Sequence, residues 1–278
     1  MDFKKPEFIL VLFITFIIAS YVELTFGGFG SSGYIALIFF IIALYLLTKL
    51  KKPEETKLTA SKKFIIPGLA ILAIDISYNI IKASDFGTLD TMLIFLGISM
   101  ILLAAKNRSV SSMAEFGVYF SSIFLLFFLV IYALPSRVGS NIYDYYGYYA
   151  TTIPSVFILE SLGLSLKMDT LTTFHAYGVE DIYYKIDLGC FGFYSMLIII
   201  STVIAYRITS PETKNHHSLA KITVILILAS YISNLLRIII LVSVGYYYGL
   251  ATMQVFHTFL GWALFAVIVL PVTYYYLK

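Results

Sequence analysis

Charge is what this chain has least of. Only 13% of its 278 residues are Asp, Glu, Lys or Arg, against 60% hydrophobic residues and a mean hydropathy of +0.90. That is too apolar for a soluble domain of ordinary composition. Cysteine is nearly absent: with Cys190 alone no intrachain disulfide can form, and no Cys-x-x-Cys or Cys/His cluster offers a zinc site. No metal and no cofactor is therefore expected, and the neighbours His216 and His217, in a polar stretch, are expected to be solvated. The net charge of +3 is small, and the basic residues are scattered through short loops instead of gathered on one face, which excludes nucleic acid as a partner. What is present is a series of long apolar runs. A hydrocarbon core about 30 Å thick takes roughly 20 helical residues, so about eight crossings fit.

The expected fold class is an all-α polytopic membrane protein. Lys4 and Lys5 precede an apolar run from Phe8 to Phe26, read as a retained first span because it lacks a small-x-small cleavage site. A glycine-rich turn, Gly27 to Gly33, leads to a second span from Tyr34 to Leu47. Further spans are expected over Phe64–Ile81, Thr88–Ala105 and Phe116–Leu134, separated by loops in which Lys49 to Lys63 and then Lys106 and Arg108 concentrate the positive charge. Positive charge in short loops marks the cytoplasmic side. The N-terminus is then inside and Pro135 outside.

Residues 135–189 form the longest stretch without a span, and their acidic balance suits the extracytoplasmic face. Asn141 to Tyr149 is an aromatic cluster of the kind that settles at lipid headgroups, and Ile153 to Leu162 continues as an interfacial helix. From Leu164 to Leu188 the pattern moves toward period two, which predicts a small hairpin turning near Ala176 to Gly178. Gly192–Tyr206 is the sixth span, Ile222–Val244 the seventh, Gly245 to Thr252 an outer turn, and Val255–Tyr276 the eighth, ending inside. The chain thus divides into a five-span region, 1–134, an extracytoplasmic insertion, 135–189, and a three-span region, 190–278, that carries the chemistry.

Three chemically able residues fall at one depth of that last region. Cys190 stands at the outer end of the sixth span and His257 at the outer end of the eighth. Arg237 lies about 15 residues into the seventh, roughly 10 Å below the outer boundary, and its side chain can extend toward the interface. A thiolate is a strong nucleophile, and a cation or base beside it lowers the cost of its charge. Imidazole can take and return the proton. Guanidinium keeps its proton and acts electrostatically, on the thiolate or on an oxyanion. Together the three describe acyl transfer through a thioester.

Each has a plainer reading. A lone cysteine in an apolar segment is commonly a small buried hydrophobe, a histidine at a span end is commonly interfacial, and Arg237 could simply pair with an acid. An ionisable group inside a span is nonetheless costly and points to function. Asp75, with Asn79 one turn on, either orients Arg237 or joins a helix-packing network, and packing is favoured. Asn234 shares a face with Arg237 and could hydrogen-bond the same group. Gly192 and Gly261 allow close helix approach.

At these residues the chain resembles the exosortase and archaeosortase family of membrane-embedded transpeptidases. The resemblance rests on Cys190-Phe-Gly192, on Asn234-x-x-Arg237, and on His257 with Gly261 four residues on, and it covers roughly Asn141 to the end. Members of the bacterial branch usually carry Ser after the Cys; here Phe191 stands there, leaving Ser195 as the candidate supporting hydroxyl. Some archaeal members have Arg where this chain has His257. The resemblance implies a surface-protein substrate with a C-terminal sorting tail, made of a motif, a transmembrane helix and a basic end. Cys190 would hold the acyl part before an acceptor, probably a membrane lipid in archaeal relatives, takes it. Two other classes compete: a transporter or export component without peptide-bond chemistry, and a scaffold for surface assembly. No internal repeat or pair of broken spans favours transport.

Overall fold

The structure, a computed structural model, describes residues 9, 12–17, 19–20, 32–49, 62–82, 87–105, 107–140, 142–187, 190–209 and 216–277. Most of the expected first span, the glycine-rich turn up to Ser31, the lysine-rich loop between Lys49 and Lys62, Lys106 and the loop 210–215 lie outside the described residues; those of the first span that are described are helical. The described chain is mostly helical. Helices α1 (Ser32–Lys49), α2 (Ile65–Lys82), α3 (Thr88–Leu102) and α4 (Arg108–Phe128) come first, and α4 continues through a π-helical turn, Leu129–Ala133, to Arg137. Then follow α5 (Ile142–Gly147), a second π turn, α6 (Ile153–Ser161), strands β1 (Leu166–Met168), β2 (Thr173–Tyr177) and β3 (Asp181–Lys185), α7 (Phe193–Thr209) and α8 (His216–Leu277).

The burial pattern of α2 is that of a helix in lipid. Its buried residues are Gly68, Asp75 and Asn79, while Ile66 and Ile81 are 77% and 80% exposed. Small and polar groups face the neighbouring helix and branched aliphatics face outward, the reverse of a helix in water. Three helical stretches, Lys62–Lys82, Val110–Arg137 and Leu219–His257, are long and apolar enough to cross a membrane, and shorter apolar helices accompany them. In the core, Phe116, Phe120, Phe124 and Phe128 recur every fourth residue along α4 and share one apolar cluster with Leu197, Ile198 and Ile199 of α7 and Leu226 and Ala229 of α8. Phe128 stacks on Tyr194 at the mouth of α7, ring centroids 6.2 Å apart.

Three expectations change. The fifth helix begins at Arg108, eight residues ahead of the hydrophobic run, because Ser109 to Glu115 continue the helix beyond the apolar stretch. The hairpin is a three-stranded antiparallel sheet, β1-β2-β3, its second turn at Gly178 to Glu180 close to where alternation placed it. The outer turn shrinks from Gly245–Thr252 to a single residue. The helix persists to Tyr248, breaks at Gly249 (φ 82°, ψ 171°) and resumes at Leu250, and a positive φ of that size is open chiefly to glycine. The break reverses the chain. Arg237 and His257 are 20 residues apart, about 30 Å along one straight helix, yet their side chains meet at 3.3 Å. We call the two parts of α8 its first limb, to Tyr248, and its second, from Leu250.

The sheet sits on the later part of the first limb, toward Tyr246. Phe174 and Ala176 of β2 and Ile186, just after β3, join Val156 and Leu159 of α6 and Ile238, Ile239 and Val242 of α8 in a second apolar core. Tyr231 Oη donates to the Ala150 carbonyl at 2.8 Å, fixing the π turn between α5 and α6 to the same limb.

Candidate active site

Cys190 is held in a backbone turn just ahead of α7. Asp187 makes that turn: its carbonyl accepts from the Cys190 N–H at 2.9 Å and the Phe191 N–H at 3.0 Å, and its side-chain Oδ1 accepts from the Cys190 N–H at 3.2 Å. A carboxylate that binds the amide three residues on offers the chain a local turn in place of helix. Gly192 completes the turn with φ +71°, and a Cβ there would stand 3.3 Å from Asn234 Cβ and Cγ. The turn therefore rests directly on α8.

Asn234 bridges the two. Its amide Nδ2 donates to the Cys190 carbonyl oxygen, so Asn234 fastens the backbone of the Cys190 turn. One turn further on, Arg237 is 4% exposed, and its Nη2 lies 3.3 Å from His257 Nε2. Guanidinium can only donate. His257 Nε2 is therefore the acceptor, and its imidazole is the neutral tautomer with the proton on Nδ1.

Phe191 accounts for the departure from the bacterial pattern after the cysteine. It is 1% exposed, seated against Gly147, where any side chain would collide with its ring, and edge-on to Tyr146 at 6.5 Å. The position is a packing anchor that ties the turn to α5. A hydroxyl there would forfeit that burial, worth about 2 kcal/mol for a large apolar side chain. Ser195 is half-buried in the first turn of α7 and forms no hydrogen bond to Cys190 among the described residues. Gly261 is one turn beyond His257 on the second limb.

Cys190 is half-buried, and burial pushes its thiol up to about 11. The Asp187 carboxylate pushes the same way, and the Arg237 guanidinium pulls against both. Asp187 also acts electrostatically on Arg237 and His257, so sulfur, guanidinium, imidazole and carboxylate share one field. The resting thiol is neutral, and a nucleophile forms only when a base takes its proton.

Asp187 was not among the expected site residues. Its signal is the spacing Asp187 to Cys190, an acid three residues ahead of an amide it can cap. Asp75 is elsewhere, in a network with Asn79 and Asp90 between α2 and α3: Asn79 Nδ2 donates to the Asp75 carbonyl at 3.0 Å and to Asp90 Oδ1 at 2.9 Å. No cluster of His, Cys, Asp and Glu able to hold a metal occurs among the described residues.

One comparison bears on this arrangement. A family model described as transmembrane exosortase matches residues 31–274, reaching well upstream of the motifs at the site. No curated protein and no solved structure matches.

Proposed function

The chain belongs to the transmembrane exosortase family and is a multi-pass membrane protein, and from that premise we propose that it is a cysteine transpeptidase acting on the C-terminal sorting tails of exported surface proteins. The observation that carries this reading is Arg237, a buried guanidinium bonded to His257 and electrostatically joined to Cys190 in the adjoining turn. Such a charge costs several kcal/mol to keep in an apolar span. A cation that answers a nucleophile and a base has chemistry to justify it.

The steps follow from the groups. The scissile carbonyl oxygen draws the Arg237 guanidinium toward itself, which frees His257 Nε2. That nitrogen takes the Cys190 proton as the sulfur attacks the carbonyl carbon, and Arg237 holds the oxyanion. When the C–N bond breaks, the departing amine of the tail takes the proton back from His257, leaving a thioester on Cys190. An acceptor hydroxyl, which we assign to a membrane lipid headgroup, then attacks the thioester carbonyl. Its proton passes through His257 to the leaving thiolate, and the free thiol returns. Asn234 and Asp187 keep the turn in register; Gly261 lets the second limb lie close.

The proposal carries with it a topology of eight crossings, cytoplasmic termini, and regions 1–134, 135–189 and 190–278 as a helical base, an extracytoplasmic cover and the catalytic part. In that proposed topology the site lies just outside a bilayer, where the bond next to a substrate's spanning helix would lie. Mass analysis of a tailed substrate co-expressed with the wild type or with Cys190→Ala tests it. We expect a shortened, lipid-bearing product only with the wild type. Equal processing by both would reject the reading, and a product ended by water would reject the lipid acceptor.

A further inference from the structure

The extracytoplasmic sheet supplies no group to these steps, yet its tip is fastened to the break in α8 that lies between Arg237 and His257. The β2–β3 turn, Gly178 to Glu180, lies on the break in α8. Val179 N–H donates to the Tyr246 carbonyl at 2.9 Å, at the end of the first limb. Glu180 Oε2 accepts the Leu250 N–H at 3.1 Å, at the start of the second. A side chain at Gly178 would collide with the Tyr246 backbone, and one at Gly249 would stand 3.0 Å from Glu180 Oε1. The approach is backbone to backbone.

The second limb needs an outside partner. Its first amides have no carbonyl in their own helix to bond, and the residue in the capping position, Gly249, has no side chain to offer. Glu180 fills that role from 70 residues away in sequence, with a charge that suits the positive end of a helix. His257 lies two turns beyond Leu250, on nearly the same face. A tilt at the capped end therefore carries the imidazole with it, while the Val179 bond holds the limb that bears Arg237.

We propose that Glu180 is a positioning residue: as a remote cap on the second limb it sets the angle between the limbs of α8 and so keeps His257 Nε2 within reach of Arg237. The inference rests on the transpeptidase reading for its activity readout and stands independently of it for its structural one. Displacements near 1 Å at a reacting group can cost on the order of 100-fold in rate.

Two measurements on the full chain in lipid nanodiscs decide it. Hydrogen exchange over 250–257 should accelerate at least about tenfold at the Leu250 amide in Glu180→Ala, with exchange in α4 and α7 unchanged, and should stay near wild type in Glu180→Gln, which keeps an acceptor oxygen. In cutting of a tailed substrate, Glu180→Ala should lower kcat about tenfold or more with KM within about twofold, and Glu180→Gln should recover at least about half of the rate. Unchanged exchange in Glu180→Ala overturns the proposal. So does a change confined to KM, which would make the turn a substrate reader, and so does Glu180→Gln as impaired as Glu180→Ala. If Glu180→Ala does not accumulate, Glu180→Asp, one methylene short of the amide, is put to the same two measurements with the same criteria. Cleavage that persists in Cys190→Ala would reject the transpeptidase reading while leaving the exchange result to judge the cap.

Discussion

The helix pair α2–α3 and the folded-back α8 each carry an ionisable side chain into apolar surroundings, Asp75 at 6% and Arg237 at 4% exposure. Their partners differ. Asp75 lies among groups of its own helix pair: Asn79, one turn on, donates to its carbonyl and to Asp90, and the Gly87 N–H donates to the other oxygen of Asp90 at 2.6 Å. The network joins two helices that pack closely and holds no nucleophile. Arg237 instead meets a residue that follows the chain reversal, His257, and acts on a thiol presented by a separate turn. A buried charge by itself therefore separates nothing. What distinguishes the two clusters is that the groups around Arg237 include a thiol and an imidazole, and those around Asp75 do not.

Four substitutions would break or sharpen that contrast. Cys190→Ser should reduce substrate cutting on the order of 1,000-fold or more, read as uncut substrate accumulating in membranes; cutting within tenfold of wild type would put α8 on the same footing as α2–α3. Arg237→Lys should lose on the order of 100-fold, because an ammonium lacks the planar fork that can hold an oxyanion and an imidazole together. Full turnover there would mean that only a point charge is needed.

The pH response of the thiol comes next in size. Because burial and Asp187 push Cys190 up to about 11 from an ordinary 9.0, the thiolate fraction keeps growing above pH 9. Alkylation of the folded protein should then rise about tenfold per pH unit through pH 10. Asp187→Asn removes one of the upward pushes and should speed alkylation at pH 8. A plateau near pH 9 in the wild type, or slower alkylation in the variant, would contradict the electrostatics described. The smallest effect is expected of Asp75→Asn: stability lower by about 1 kcal/mol in a denaturant titration, and cutting per folded molecule unchanged within experimental error. A large catalytic loss with folding intact would draw α2 into the site.

Hydropathy made the membrane helices legible because it needs only local composition, and Cys190, Arg237 and His257 stood out because each is chemically foreign to the run around it. The start of α4 at Arg108 was hidden by its serines, which a helix accepts and a hydropathy profile does not count. β1 has three residues, too few to show alternation. The break at Gly249 was masked by Tyr246 to Tyr248, which read as a turn and are helix. Glu180 could not be read at all, and Asn234 was read only as a companion of Arg237, since their partners, Leu250 and Cys190, are 70 and 44 residues away. Contacts of that range belong to tertiary structure. The family model likewise extends the resemblance to residue 31, through helices whose sequence carried no motif.

The one-residue reversal at Gly249 has a consequence for biogenesis. A guanidinium presented alone to the lateral gate of a translocon meets a penalty of about 2.5–3.5 kcal/mol near the middle of a helix. With almost no linker between them, the limbs before and after Gly249 would leave the ribosome within seconds of one another and partition as a helical hairpin. Arg237 would then enter lipid already shielded by the imidazole it later works beside.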